Sequence, residues 1–89
     1  ALKCKGDSMI GARIYDGDLV FIKEQPQVEN GEIAAVVIGD EARLKRVYCQ
    51  KDRITLVAAN PAYEPMVFSG SELDGIRILG KAVFFVGKL

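Results

Sequence analysis

The sequence predicts a mainly β domain, on three observations. Short apolar, β-branched runs recur along the chain, the clearest being Ile33-Ala34-Ala35-Val36-Val37-Ile38. Turn signals such as Asp16-Gly17, Asn30-Gly31 and Gly39-Asp40 separate them. No segment carries helical periodicity for more than a turn or two, and nothing repeats. The 89 residues form one domain, 1–89. Folding a chain this short hides only about 60–65% of its unfolded surface, so the core is small.

The elements follow in order. Residues 1–5 are too short to assign, although Leu2 and Cys4 share a face if extended. Gly6-Asp7-Ser8 suits a bend that exposes a hydroxyl. Met9 to Ile14 fits a single helical turn or an irregular loop, and Tyr15 to Asp18 a turn. Leu19 to Ile22 reads as a buried strand, because a short apolar run is bounded by charge. Lys23 to Gly31 reads as a polar loop closed by the Asn-Gly pair. Ile33–Ile38 and Ala42–Gln50 form a hairpin around Gly39-Asp40-Glu41. After a turn at Lys51-Asp52, a strand runs from Arg53 to Ala58. Pro61 and Pro65 rule out regular structure between them. Met66 to Phe68 is a strand and Ser69 to Asp74 a polar loop. Gly75 to Leu89 reads as one or two strands broken near Gly80.

Composition excludes several chemistries. The chain has no histidine, which removes the Ser-His-Asp triad, the Cys-His dyad and most zinc sites. Twelve basic and 12 acidic residues give zero formal net charge, which argues against direct nucleic-acid binding. Cys4 and Cys49 lie far apart with no CxxC motif; they read as reduced thiols of a cytosolic protein, with a disulfide as the alternative. No apolar run approaches the ~18 residues of a membrane helix, and no signal peptide is visible. Asp7, Asp16 and Asp18 lack metal-loop spacing, so no metal or other cofactor is expected.

One serine and one lysine draw attention. A serine nucleophile needs a partner that takes its proton, and without histidine that partner is a lysine or a carboxylate. A lysine serves only when neutral, which burial among apolar groups favours. Lys45 meets this requirement better than Lys3, Lys5, Lys23, Lys51, Lys81 or Lys88, which lie near turns, termini or exposed segments. On an extended strand it shares a face with Arg43, Val47 and Cys49. The pattern leaves a second reading open: Lys45 as a solvated strand charge that discourages aggregation. Ser8 likewise reads either as a turn residue or as a nucleophile. Glycine at Gly6 admits a close backbone approach, and amides near Asp7 suit an oxyanion.

These motifs, taken together, resemble a known family. Gly6-Asp7-Ser8-Met9, Ile14-Tyr15-Asp16-Gly17-Asp18-Leu19-Val20, Val28-Glu29-Asn30-Gly31-Glu32-Ile33-Ala34 and Leu44-Lys45-Arg46-Val47 occur in order. They resemble the self-cleaving serine–lysine peptidase domain of LexA-type repressors, shared by UmuD-type proteins and lambda-like phage repressors. The resemblance covers nearly the whole chain. It implies a bent "β-clip" fold of LexA and signal-peptidase type. It implies Ser8 as nucleophile, Lys45 as general base, Asp7 and Ser8 amides as the oxyanion hole, and Gly6 and Met9 along the substrate approach. The implied reaction is cleavage of an Ala-Gly or similar bond in the protein's own upstream segment, promoted by a RecA filament on single-stranded DNA. It also implies a cytoplasmic homodimer joined in part through the last strand, around Ala82 to Val86, and operator binding through a separate N-terminal domain.

Only seven residues precede Ser8, so the cleavage segment and DNA-binding domain are expected to lie outside this sequence. The parent is then an SOS-response repressor, a UmuD-like polymerase accessory, or a phage repressor whose domain only dimerises. Signal peptidases also pair Ser with Lys, but they carry a proline two residues after the Met, where this chain has Gly11, and a membrane anchor.

Overall fold

The computed structural model describes residues 1–87. Its strands are β1 (Leu2–Lys3), β2 (Leu19–Glu24), β3 (Ile33–Ile38), β4 (Glu41–Gln50), β5 (Arg53–Val57), β6 (Met66–Ser69) and β7 (Ile76–Val86). Two 3-10 turns, Ile10–Ala12 and Gly70–Gly75, complete the regular structure among the described residues. The strands form one antiparallel sheet in the order β1-β2-β7-β3-β4-β5-β6. The mainly β class is therefore the observed one.

The β3–β4 hairpin is the centre of the architecture. A two-residue loop, Gly39-Asp40, joins the Ile38–Glu41 pair, and Gly39 takes φ 65°, a conformation glycine adopts without strain. Neighbouring residues on each strand point to opposite faces. Ala35 and its partner Leu44 join Cys4, Met9, Ile14 and Val20 in one apolar cluster. Ala34, Val36 and Val47 join Leu56 in a second cluster on the other face. Lys45 pairs with Ala34, so it belongs to that second face, as strand phase predicts.

β7 replaces the expected broken segment. It is continuous through Gly80 and pairs with β3 at one end and β2 at the other. The interruptions are register shifts that leave Leu79 and Val83 unpaired, not a break at glycine. Such bulges bend a strand and sharpen its twist. Gly80 itself lies against β2, where an added Cβ would come within 2.1 Å of the Lys23 carbonyl oxygen. The glycine thus permits contact between strands. Residues 88 and 89, included in the predicted last strand, lie outside the described residues.

Two smaller expectations also change. Gly70–Gly75 is a 3-10 helix, not a loop, because Ser69 and Glu72 form a capping box. In β2, Leu19 is 44% exposed while Val20 is fully buried, since β2 is covered on one face only. Both cysteines are free thiols, Cys4 within the first cluster and Cys49 exposed at the end of β4.

Candidate functional site

The serine loop is fixed from below. Met9 is completely buried in the first cluster, beside Cys4 and Ile14. With no exposed surface, Met9 anchors the loop that carries Ser8, and it also lines the cleft beside Ser8. Gly6 has φ 80° and stays exposed, with open space where a side chain would stand. Its N–H donates to Asp16 Oδ1 at 2.8 Å, and Tyr15 N–H donates to Asp18 Oδ2 at 2.9 Å. The Cys4 N–H donates to the Asp18 carbonyl at 2.8 Å, and the Gly17 N–H returns a bond of 2.8 Å to the Cys4 carbonyl. The Asp-Gly-Asp turn is therefore a brace for the serine loop.

A second brace comes from far along the chain. Asn60, buried, donates from Nδ2 to the Asp7 carbonyl at 2.8 Å and accepts the Ala62 N–H at 2.9 Å. Gly11 donates its N–H to the Ala59 carbonyl at 2.6 Å, and a Cβ at Gly11 would stand 2.5 Å from that oxygen. A proline there would lose the donor and collide. Tyr63 donates its hydroxyl to Asp7 Oδ1. These contacts satisfy the polar groups of an irregular, punctuated segment. Sequence reasoning missed them. Asn60-Pro61 announces a turn, but nothing local shows that the Asn60 amide reaches Asp7.

Lys45 sits at the middle of β4, between Leu44 and the buried Val47. The Asn30-Gly31 turn holds the next stretch of this strand. Arg46 donates to the Gly31 carbonyl at 2.8 Å, the Gly31 N–H to Val47 O at 2.9 Å, and the Cys49 N–H to Asn30 Oδ1 at 2.8 Å. Lys45 is 6% exposed, the one buried lysine among the described residues. Its pKa is lowered from the ordinary lysine value, first by desolvation and second by the like charge of Arg43. Arg43 is held by Glu41 at 2.7 Å. The Lys45 amine lies 5.7 Å from the centre of the Tyr63 ring.

Ser8, Lys45, Asp7 and Gly6 line one cleft of about 800 Å³. Leu2 of β1 and Met66 of β6 line it too. Those strands are the two ends of the sheet order, so the sheet curls until its edges share a wall. Among the described residues no hydrogen bond joins Ser8 to Lys45, and neither the Asp7 nor the Ser8 amide donates to a protein group. Catalytic hydrogen bonds are often loose without substrate. No group of three or more potential metal ligands occurs among the described residues, and no helix is long and apolar enough to cross a membrane.

The sequence matches a family model. The Peptidase S24-like family aligns with residues 1–83. The chain belongs to the Peptidase S24-like family. The chain is similar to the LexA repressor of Citrifermentans bemidjiense, 43% identical over 82 residues, which are 92% of this chain and 40% of that protein. The LexA repressor of Myxococcus xanthus is 43% identical over 89 residues, 100% of this chain and 40% of that protein. The LexA repressor of Caldicellulosiruptor saccharolyticus is 39% identical over 88 residues, 99% of this chain and 41% of that protein. The chain therefore spans about two fifths of the length of these relatives. The curled antiparallel sheet is consistent with the β-clip expected of a LexA-like S24 domain.

Proposed function

We propose that this chain is the self-cleaving and dimerising domain of a cytoplasmic LexA-like SOS repressor, with Ser8 as nucleophile and Lys45 as general base. The observation that carries the reading is Lys45 itself: a buried lysine of lowered pKa in the cleft that also holds Ser8. Neutral Lys45 Nζ takes the Ser8 hydroxyl proton while Oγ attacks the scissile carbonyl carbon. The Asp7 and Ser8 amides, free of protein acceptors among the described residues, stabilise the developing oxyanion. Collapse breaks the C–N bond, and the Lys45 ammonium returns its proton to the leaving amine. Water then hydrolyses the Ser8 ester, with Lys45 again as base. Gly6 leaves room for the substrate backbone.

The substrate is the protein's own upstream segment, and a RecA filament promotes its docking. Operator DNA is bound through an N-terminal domain outside this chain. The relatives' names favour a repressor over a UmuD-like accessory. The test is a chain extended upstream by its natural cleavage segment, incubated at mildly alkaline pH. It should cut itself without added protease. An extended chain that stays whole above the Lys45 pKa contradicts the reading.

The last strand carries the dimer contact in this reading. Val83, Phe84, Phe85 and Val86 are 40–57% exposed, and Phe21 stacks on Phe84 with ring centres 4.5 Å apart. Exposed large apolar side chains clustered at the end of one strand support an interaction surface there. Phe84→Glu should therefore weaken self-association at least tenfold in sedimentation equilibrium. The domain itself should stay folded, because Phe84 is largely outside the core.

A further inference from the structure

Tyr63 touches both halves of the proposed machinery. Its hydroxyl donates to Asp7 Oδ1, on the residue before Ser8. Its ring lies over the Lys45 amine, 5.7 Å from centroid to Nζ. It reaches that place because Asn60 and the Ala59–Gly11 bond tie its segment to the serine loop. We propose that Tyr63 is a positioning residue, its hydroxyl holding the Asp7–Ser8 backbone and its ring keeping water from the Lys45 amine. The proposal rests on the Ser8–Lys45 reading and adds a third side chain to it.

The ring acts on Lys45 in two opposed ways. The negative face of an aromatic ring favours the ammonium form. Covering the amine removes water, which favours the neutral form. The cation–ring contact is near the ~6 Å limit of that interaction, and Tyr63 as a residue is 43% exposed, so solvent weakens it. Lys45 is 6% exposed, so the loss of water dominates. Tyrosine suits both tasks, with an apolar body for the amine and a polar tip for the carboxylate.

Other charged groups share the cleft: Lys3 on β1 and Lys5 just after it, Asp7 on the serine loop, Glu41 and Arg43 on β4, and Glu64 next to Tyr63. The buried Cys4 thiol, raised by desolvation and by Asp18 and Asp16, lies there as well. On β3 the residue opposite Lys45 is Ala34, which carries no charge. None of these groups is removed by a change at Tyr63, so a shift in the pH profile reports the ring.

The experiment follows Ser8 phosphonylation in this 89-residue chain by a fluorophosphonate, read by intact-mass spectrometry across pH. Ser8 Oγ forms the P–O bond, fluoride leaves, and Lys45 takes the proton, so rate against pH reports the base. Tyr63→Phe should keep the midpoint and lower the plateau rate several-fold, since only the Asp7 bond is lost. Tyr63→Ala should lower the plateau further and raise the midpoint by about one pH unit as water reaches the amine. If Tyr63→Ala does not fold, Tyr63→Gln, which also admits water, should show the same rise. A midpoint that stays or falls in the ring-less variant overturns the shielding, and a wild-type plateau in Tyr63→Phe overturns the role of the hydroxyl. Lys45→Ala separates the two levels. If it labels as fast as wild type, the Ser8–Lys45 reading fails and the proposal with it. If it is silent while the Tyr63 variants match wild type, the proposal alone fails.

Discussion

Lys45→Met is expected to lower self-cleavage of an upstream-extended chain by roughly ten-thousand-fold while raising the stability of the fold. In the proposed mechanism the activity loss follows from removing Lys45, the buried lysine of the cleft. Ser8→Ala should lose activity to the same extent, and the double variant should be no worse, because the two residues act as a unit. The stability gain follows from the direction of the Lys45 pKa. A lysine whose pKa falls on folding binds fewer protons folded than unfolded between the two values, so stability rises with pH across that window. Below the folded value both states are protonated, and the cost of burying the cation is present in full. Methionine has a similar shape and no charge to desolvate. At neutral pH Lys45→Met should therefore raise Tm. A thermal melt of the variant at neutral pH measures it. At pH above 10.5, the ordinary lysine value, both states of the wild type are largely neutral and the gain should shrink. Full cleavage by Lys45→Met would remove the lysine from the mechanism.

Gly80→Ala is expected to be the most damaging single methyl in the sheet. Its Cβ would meet the Lys23 carbonyl oxygen at 2.1 Å, Ile22 Cγ2 at 2.7 Å and the Lys23 carbonyl carbon at 2.8 Å. Two of these atoms are backbone and cannot rotate away. Relief requires β7 to separate from β2 where it also pairs with Ala35 of β3. The expected loss is at least about 4 kcal/mol, in the range that unfolds small domains. Urea unfolding or a thermal melt measures it. Gly75→Ala is the control, because nothing lies within 4 Å of its added Cβ and its φ is not positive; it should change stability by less than about 1 kcal/mol. Equal stability of the two variants would show that β7 and β2 do not approach as described.

Local chemistry made much of this legible in the sequence. The β3–β4 hairpin has its expected strands because β-branched runs flank a Gly-Asp loop. Strand phase placed Lys45 with Val47, and both are buried. The same alternation failed at Cys49, which is exposed, since β4 runs beyond the cluster that covers its centre. Gly80 suggests a break because glycine weakens strands in general; its use here is a close approach between strands distant in sequence. Met9 stands in the cleft lining next to Ser8, and its apolar side chain also belongs to the core, a second role that the motif alone does not show. The clasp of Asn60 and Tyr63 on Asp7 spans more than fifty positions, |i−j| being 53 and 56. No periodicity or local turn rule reports such a pairing. That a serine nucleophile would need a lysine or carboxylate as base is legible by elimination, through the missing histidine, but the tyrosine beside Lys45 is not.

The central claim is that the Lys45 amine is held toward its neutral form inside the serine cleft. Its most direct test is an NMR titration of the Lys45 side chain in the folded wild-type domain, with Lys45→Met to assign the signal. A midpoint clearly below 10.5 and below those of the exposed lysines is the predicted result. A Lys45 that titrates with the exposed lysines, or above them, would contradict the account.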